Sequence, residues 1–430
     1  MKKHEKCVII RKNRKRRTNM AFLKGNAVVG QSGGPTSAIN ATLAGVIRGA
    51  LEAQKEGVIG KLYGMQNGIE GFLAERLVDL TERFKGGVDL DALERTPAAA
   101  LGSCRRKLKD PETDPEAYAA MLEIFKKYDI RYFFYIGGND SMDTVNKLSR
   151  YAKDNDFEMR VVGVPKTIDN DLFATDHTPG FGSAAKFVAT TVKEIRRDIS
   201  VYTMKAVTIV EIMGRDAGWL TAASALPAVT GDAPDLIYLP ERPFDIEEFV
   251  ADINELQKTK PALLVAVSEG IRFADGRYVG EGTHSGAVDV FGHKYLAGTG
   301  KVLEDVVKTR IGCKVRSIEL SLPQRCAAHI LSATDIEESV TVGRAAVKSA
   351  IDGKTGVMMT FVRESDEPYR VSVGTADISG IANAIRIVPD EFINERANGI
   401  TEAGIRYLAP LTYGEAYPEY EAGLPKHVII

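Results

Sequence analysis

Short runs of apolar residues alternate along the chain with segments in which apolar residues recur every three or four positions. The short runs predict β-strands at residues 26–29, 132–136, 161–164, 207–212, 262–267, 317–320 and 356–362. Between the strands, a period of 3.6 residues predicts helices, as in the series Ile39, Leu43, Val46, Ile47 and Ala50. Alternating strands and helices are typical of mainly parallel sheets whose faces are covered by helices.

The length of 430 residues exceeds what one hydrophobic core usually holds, so we expect two lobes. Pattern and length together predict an α/β fold of two Rossmann-like lobes, with the active site in the cleft between them. A glycine turn at 178–182 suggests a boundary near residue 180. We therefore assign 20–180 to the first lobe, joined by part of 324–375, and 181–323 to the second, joined by part of 376–430.

Composition narrows the class of protein. The formal net charge of −2 provides no general attraction to nucleic acid or to anionic lipid. No apolar run approaches the 18 or more residues that a membrane-spanning helix needs. The four cysteines are widely spaced and form no CxxC pair, which fits a reducing cytoplasm.

The first 19 residues differ from the rest, because nine of them are Lys or Arg. One interpretation is a basic arm for nucleic acid or targeting. The other is a disordered extension, or a start placed too early, since Met20 directly precedes the first globular segment. We favour the second interpretation.

Three loops follow predicted strands and are rich in glycine or acidic residues, at 30–34, 137–141 and 165–171. In open α/β sheets, ligands bind at the carboxyl ends of strands, and helix N-termini attract phosphate. Each loop alone can be an ordinary tight turn, but together they indicate a phosphate site. The chain has neither GxxxxGK[ST] nor a GxGxxG between a strand and a helix, so a P-loop or dinucleotide enzyme is disfavoured.

The third loop carries Lys166, Asp169 and Asp171 within six residues. Phosphoryl transfer needs a carboxylate that accepts the proton of the attacking hydroxyl, together with a cation and a metal that neutralise the transferring group. The alternative is an Asx-type turn with a solvated lysine.

The combination of Ser-Gly-Gly, Gly-Gly-Asn-Asp-Ser, Pro-Lys-Thr-Ile-Asp-Asn-Asp and Met-Gly-Arg resembles the phosphofructokinase family, and most closely its pyrophosphate-dependent branch. The matching motifs run from Gly30 to Arg325, and the ending 407–415 is also similar. The resemblance therefore covers nearly the whole chain beyond residue 20. It implies that the first lobe holds the donor phosphates and the second lobe the sugar phosphate.

The resemblance implies a role for several first-lobe residues. Asp169 corresponds to the base that takes the proton from the sugar C1 hydroxyl, and Lys166 to a cation at the transferring phosphoryl. Thr167 corresponds to a substrate contact. The donor phosphates are expected at Gly33, Gly34 and Arg105, and Mg²⁺ at Asn139 and Asp171. Asn139 stands where most relatives have Asp, so part of the usual negative charge at the metal is missing.

The sugar phosphate is expected in the second lobe. The residues implied at the sugar phosphate are Met213, Gly214, Arg215, Arg316 and Arg325, of which the arginines suit phosphate geometry. Glu269 corresponds to a carboxylate that accepts hydrogen bonds from the sugar hydroxyls. In this family such a cation often comes from a neighbouring subunit, so we expect a homo-oligomer, with a homodimer favoured. The segment Leu-Pro-Gln-Arg at 322–325 replaces a His- or Tyr-containing segment of many relatives, so one substrate contact is missing.

Donor choice depends on Asp140 and Lys166, because ATP-using relatives have Gly at the first position and usually at the second. A carboxylate at Asp140 would fill and repel the position of the nucleotide α-phosphate. Asp140 can also serve as a helix N-cap. We therefore expect pyrophosphate to phosphorylate D-fructose 6-phosphate in a reversible, cytoplasmic step of glycolysis. The alternatives are an ATP-dependent phosphofructokinase, a pyrophosphate-dependent sedoheptulose 7-phosphate kinase and a non-catalytic regulatory paralogue.

Overall fold

A computed structural model describes residues 22–104, 106–281, 298–381 and 384–430. Its strands are β1 Gly25–Gln31, β2 Ile59–Met65, β3 Leu77–Asp79, β4 Ile130–Gly137, β5 Arg160–Pro165, β6 Ala206–Ile212, β7 Leu236–Tyr238, β8 Ala262–Ser268, β9 Lys314–Glu319, β10 Val357–Asp366, β11 Tyr369–Asp377, β12 Tyr420–Glu421 and β13 Leu424–Pro425. Its α-helices are α1 Ile39–Lys55, α2 Gly68–Leu73, α3 Leu80–Arg83, α4 Leu90–Glu94, α5 Pro115–Lys127, α6 Asn139–Asp154, α7 Phe181–Ile199, α8 Trp219–Ala223, α9 Ile246–Leu256, α10 Thr299–Arg310, α11 Pro323–Cys326, α12 Ala333–Ile351 and α13 Glu402–Leu408.

The larger sheet has seven strands in the order β11-β10-β5-β4-β1-β2-β3. Its five inner strands are parallel, and the two edge strands, β3 and β11, are antiparallel to their neighbours. Helices α1 and α12 cover one face, and α2, α5 and α6 cover the other. Because both faces are covered, β1, β4 and β5 are almost wholly buried, which explains their continuous apolar sequences.

The smaller sheet has four parallel strands in the order β7-β8-β6-β9. Helices α7 and α8 cover one face, and α9 and α10 cover the other. The structure therefore confirms the predicted α/β class with mainly parallel sheets. Strands β10 and β11 belong to the larger sheet although they follow the smaller one in sequence. The lobe boundaries remain a prediction.

Several elements differ from the sequence prediction. The predicted strand 317–320 is wrong at both ends, because β9 begins at Lys314 and ends at Glu319. The strand predicted at 356–362 continues to Asp366 and pairs with β11 through an antiparallel hairpin that was not predicted. Strands β2, β3 and β7 were also missed.

Glycines bring α1 and α12 into close contact beneath the larger sheet. A Cβ atom added at Gly45 would lie 2.2 Å from the carbonyl oxygen of Val340, and one added at Gly343 would lie 2.2 Å from that of Thr42. No side chain larger than hydrogen fits at either position, so the spacing of these two helices depends on both glycines. No helix in the described part of the chain is long and apolar enough to cross a bilayer.

Candidate active site

The predicted loops after β1 and β5 meet at the carboxyl edge of the larger sheet. The ammonium of Lys166, which is 3% exposed, donates a hydrogen bond of 2.7 Å to the carbonyl oxygen of Gly34. A Cβ atom added at Gly33 would lie 3.4 Å from the same Nζ, and one added at Gly34 would lie 3.4 Å from Nη1 of Arg325. The Gly33-Gly34 loop therefore lies beside two cations, as a phosphate-binding loop requires.

The acidic loop is fixed at its start by hydroxyl groups. Thr167 Oγ1 accepts a hydrogen bond of 3.1 Å from the main-chain N–H of Asp169 and lies 3.4 Å from the Oδ2 atom of that residue. The hydroxyl of Thr178 donates to the main-chain oxygen of Thr167 at 2.8 Å. Since Thr178 immediately precedes the turn into α7, the loop is joined to the start of that helix.

The two carboxylates of this loop titrate above their ordinary range. Burial raises the pKa of Asp169, although nearby Lys166 and Arg215 lower it. Burial also raises the pKa of Asp171 to about 7, and the neighbouring charge of Asp169 adds to the shift. A carboxylate whose pKa lies nearer to neutrality is a better general base than an ordinary aspartate.

The residues predicted to hold a metal lie together beside Asp169. The Nδ2 atom of Asn139 lies 3.3 Å from Oδ2 of Asp171. The Oδ1 atom of Asn139 is buried and has no hydrogen-bond partner within the described ranges. The amide oxygen of Asn139 is therefore available as a ligand, and with the carboxylate of Asp171 it offers the oxygen donors that a hard divalent cation prefers. The described residues contain no group of three or more His, Cys, Asp or Glu that could hold a metal.

Asp140 lies in the first turn of α6 but does not cap the helix. The N-cap residue is Gly138, so the interpretation of Asp140 as the N-cap is wrong. Its carboxylate instead lies 3.4 Å from the ammonium of Lys107. Arg105, predicted to contact the donor phosphates, lies outside the described residues.

The Met-Gly-Arg loop follows β6 and faces the end of β8. The N–H of Gly214 donates to Oε1 of Glu269 at 3.2 Å. Gly214 has a φ of 138°, and a Cβ there would lie 2.6 Å from the carbonyl oxygen of Ala217, so this turn needs glycine. Burial raises the pKa of Glu269 to about 7; the charge of Asp169 adds to the shift and that of Arg215 opposes it.

The charges of Asp169 and Arg215 therefore act both on the acidic loop after β5 and on the loops after β6 and β8. Arg215 lowers the pKa of Asp169 as well as that of Glu269, and Asp169 raises the pKa of Glu269. Because such effects weaken with distance, the acidic loop and the Met-Gly-Arg loop lie near each other.

Gln324 is a connecting residue to which the sequence analysis gave no role. Its Oε1 atom accepts a hydrogen bond of 3.2 Å from the N–H of Met213. The next residue of the short helix α11 is Arg325, which approaches Gly34 as described above. The amide of Gln324 is 1% exposed, so it joins the Met-Gly-Arg loop to the segment that presents Arg325. Its position immediately before Arg325, an expected site residue, was the only available sequence signal.

The structure does not bring Arg316 to this cluster. Arg316 is exposed on the edge strand β9, where it pairs with Thr208 of β6. Thr208 lies four residues before Ile212, the last residue of β6, which places Arg316 about 13 Å from the carboxyl edge of the sheet. Arg316 instead lines a small depression with Tyr202 and Lys314 at the opposite edge.

Comparison with known proteins agrees with the motifs. The phosphofructokinase family pattern matches residues 26–348. The chain belongs to the phosphofructokinase family.

Relatives within the phosphofructokinase family are similar over almost their whole length. The chain is 43% identical over 408 residues to the pyrophosphate–fructose 6-phosphate 1-phosphotransferase of Methylococcus capsulatus, covering 94% of this chain and 96% of the relative. It is 42% identical over 404 residues to the protein of the same name in Halomonas elongata, covering 93% and 95%. The crystal structure of a pyrophosphate-dependent phosphofructokinase from Nitrosospira multiformis matches with a TM-score of 0.84 at 39% identity, covering 94% of this chain and 96% of that one.

Phosphofructokinases transfer phosphoryl groups and generally use a divalent metal. The roles of the individual site residues remain predictions.

Proposed function

We propose that the protein transfers a phosphoryl group from pyrophosphate to the C1 hydroxyl of D-fructose 6-phosphate, giving D-fructose 1,6-bisphosphate and phosphate. The observation that carries the proposal is the contact between the two loops of the larger sheet. Lys166 of the acidic loop donates to Gly34 of the glycine loop, so one cation lies between the expected donor and the expected base. The names of the relatives support pyrophosphate as donor.

In the proposed mechanism, Asp169 accepts the proton of the C1 hydroxyl while the C1 oxygen attacks the nearer phosphorus of pyrophosphate. The bond between that phosphorus and the bridging oxygen breaks, and phosphate leaves with the bridging electrons. Lys166 stabilises negative charge on the transferring group, while Arg325 is proposed to hold the sugar phosphate. Burial of Asp169 favours proton acceptance because it raises the affinity of the carboxylate for the proton.

The metal is proposed to be Mg²⁺, held by Asp171 and the amide oxygen of Asn139. When bound, Mg²⁺ supplies positive charge that neutralises the oxygens of pyrophosphate. Because Asn139 is neutral, Asp171 carries the negative charge of this ligand pair, and pyrophosphate oxygens are expected to complete the coordination.

Donor selection is proposed to depend on Asp140. Its carboxylate lies at the N-terminus of α6, close to the loop that would hold the donor, and Lys107 partly neutralises it. A third phosphate with its nucleoside would have to pass this carboxylate, whereas pyrophosphate is short enough to stop before it. Like charge and limited space then disfavour ATP.

The active unit is proposed to be a homodimer in the cytoplasm. Arg316 lies about 13 Å from the carboxyl edge of its own sheet and is exposed on an edge strand. The adjoining loop exposes three large apolar residues, Val201 at 71%, Tyr202 at 49% and Met204 at 55%. A second subunit that covers this apolar loop could receive Arg316 at its sugar-phosphate site.

The direct test offers purified protein fructose 6-phosphate with Mg²⁺ and either pyrophosphate or ATP, and repeats the pyrophosphate assay with sedoheptulose 7-phosphate. We expect turnover with pyrophosphate and fructose 6-phosphate, and a fall of about 10²-fold or more in kcat for Asp169→Asn. Turnover with ATP alone, or a higher kcat/KM for the seven-carbon sugar, would contradict the proposal. The exposed-residue variant Asp366→Asn serves as a control and should retain full activity.

A further inference from the structure

A segment near the C-terminus lies directly against the acidic loop. The main-chain N–H of Arg386 donates to the carbonyl oxygen of Asp171 at 2.8 Å. Its guanidinium Nη1 donates to the carbonyl oxygen of Asn170 at 3.3 Å. The preceding residue, Ile385, forms an antiparallel bridge with Leu172. One short segment therefore holds three consecutive residues that begin immediately after Asp169.

The conformation of Asn170 explains why this loop needs external support. Its φ of 54° is left-handed, a region that is costly for residues other than glycine. Asparagine often compensates by hydrogen bonding through its side chain, but here the amide is fully buried. Neither its oxygen nor its nitrogen has a hydrogen-bond partner in the part of the chain that is described. The guanidinium of Arg386 therefore holds this strained turn through the main-chain carbonyl of Asn170 and not through its side chain.

The guanidinium of Arg386 also contacts Trp219 and Tyr407, which pack with the helices of the smaller sheet. It stacks over the ring of Trp219 at 4.1 Å and donates to the hydroxyl of Tyr407 at 2.8 Å. The indole N–H of Trp219 returns a hydrogen bond of 3.0 Å to the carbonyl oxygen of Arg386. Trp219 begins α8, four residues after Arg215, so it belongs to the segment that continues the Met-Gly-Arg loop.

We propose that Arg386 is a positioning residue for phosphoryl transfer. It holds the peptide of Asn170 so that the carboxylates on either side keep their places, and its stacking on Trp219 fixes that loop relative to the Met-Gly-Arg loop. The inference rests on the function proposed above, because it assigns Arg386 to the support of Asp169 and not to contact with substrate.

The planar fork of arginine suits this arrangement. One edge of the guanidinium reaches Asn170 and another reaches Tyr407, while its face covers the indole of Trp219. A lysine carries the same charge but has one compact ammonium and no flat face, so it can satisfy only part of these contacts. Methionine keeps an apolar stem of similar length and removes every donor of the side chain.

The test compares Arg386→Met and Arg386→Lys with Arg363→Met. Arg363 is the matched control because it stacks on the ring of Tyr407 at 4.1 Å and donates to the main-chain oxygen of that residue. Both arginines thus pack on Tyr407, but within the described residues only Arg386 of the two contacts the acidic loop. Loss of packing should therefore lower Tm in both methionine variants.

For Arg386→Met we expect kcat to fall about 10- to 100-fold while KM for both substrates changes less than about threefold, since a misplaced base slows chemistry more than binding. Arg386→Lys should recover part of kcat, and Arg363→Met should keep kcat within about threefold of the wild type. Equal loss of kcat in Arg363→Met and Arg386→Met, or a KM effect alone, would overturn the proposal.

Amide hydrogen exchange gives a readout that does not depend on turnover. Residues 166–172 should exchange faster in Arg386→Met than in the wild type or in Arg363→Met, and the emission of Trp219, the single tryptophan, should change in Arg386→Met alone. Unchanged exchange in this segment would refute the positioning role even for a preparation without activity. An inactive wild type with the expected exchange pattern would instead reject the proposed reaction and leave the support of the loop demonstrated.

Discussion

Glu269 illustrates how neighbouring charges and burial act on one side chain. Its carboxylate accepts a hydrogen bond from Gly214, yet its pKa rises to about 7 because burial disfavours the charged form. The family resemblance implies that a sugar hydroxyl donates to Glu269, which would replace part of the lost hydration. Without substrate, the ionised carboxylate is therefore a cost to the folded state.

Glu269→Gln should make the substrate-free protein more resistant to heat at high pH, relative to the wild type. The wild-type group has a pKa of 4.5 when unfolded and about 7 when folded. Its ionisation therefore destabilises the fold progressively as pH rises from about 4.5 to about 7, by up to about 3 kcal/mol. The Tm difference between variant and wild type should grow across this range and then level off. A difference that is constant from pH 5 to 8.5 would contradict the raised pKa, and Glu421→Gln on the exposed C-terminal hairpin is the control.

The double variant Asp140→Gly, Lys166→Gly should gain activity with ATP relative to pyrophosphate. Removing the carboxylate relieves repulsion of a nucleotide phosphate, and removing the ammonium weakens binding of pyrophosphate, so the ratio of kcat/KM for the two donors should shift about 100-fold or more. Steady-state assays with each donor measure this ratio. The control Asp143→Gly introduces the same helix-destabilising residue three positions later and should leave the donor ratio unchanged. If the double variant gains no activity with ATP, the proposed role of Asp140 and Lys166 in donor selection is rejected.

At the scale of elements, the site forms where strands end and helices begin. β1, β5, β6 and β8 each deliver a loop to the same region, and each loop is held by hydrogen bonds to a neighbouring segment. The geometry thus comes from two sheets whose carboxyl edges face each other, while α11 supplies Gln324 and Arg325. Chemistry at this edge agrees with the general behaviour of open α/β sheets.

Gly343→Ala should destabilise the protein although alanine is the better helix former. The added Cβ atom would lie 2.2 Å from the carbonyl oxygen of Thr42 in α1, which forces the two helices apart. We expect a net loss of about 1–3 kcal/mol, because overpacking outweighs a helix-propensity gain of up to about 1 kcal/mol. The Tm should fall by several degrees. Gly380→Ala, at a position with no neighbour within 4 Å, should leave the Tm nearly unchanged, and an equal effect in both would refute the packing argument.

The elements also show what sequence could and could not predict. β1, β4 and β5 were predictable because their burial on both faces requires unbroken apolar runs, and the loops after them carry recognisable motifs. β7 has only three residues, and β11 is a half-exposed edge strand, so neither has a strong apolar signal. The support of the acidic loop by Arg386 was not predictable, because the two segments are more than 200 residues apart and no local pattern marks the arginine.

At the scale of the whole molecule, the position of Arg316 is the main reason to expect more than one subunit. The family resemblance assigns it to the sugar phosphate, but in its own chain it lies on the far part of β9 beside an exposed apolar loop. We therefore propose that Arg316 acts across an interface between subunits.

Heterodimers of Arg316→Met and Asp169→Asn subunits should recover activity that neither homodimer has. In such a heterodimer, the Arg316→Met chain keeps its base and receives arginine from its partner, so one of two sites works and kcat should be about half that of the wild type. Two different affinity tags allow the heterodimer to be purified and assayed. An inactive heterodimer would show that Arg316 serves its own chain, and a heterodimer of wild type with Asp169→Asn provides the reference value.

The return of the chain to the larger sheet sets an order for folding during synthesis. Strand β5 ends at Pro165, but its neighbour β10 begins only at Val357, after every strand of the smaller sheet has been made. On the ribosome, the smaller sheet can therefore finish while β5 still has an open edge. A chaperone that covers exposed strand edges would be expected to act in this interval, which closes when β10 has emerged, at residue 366.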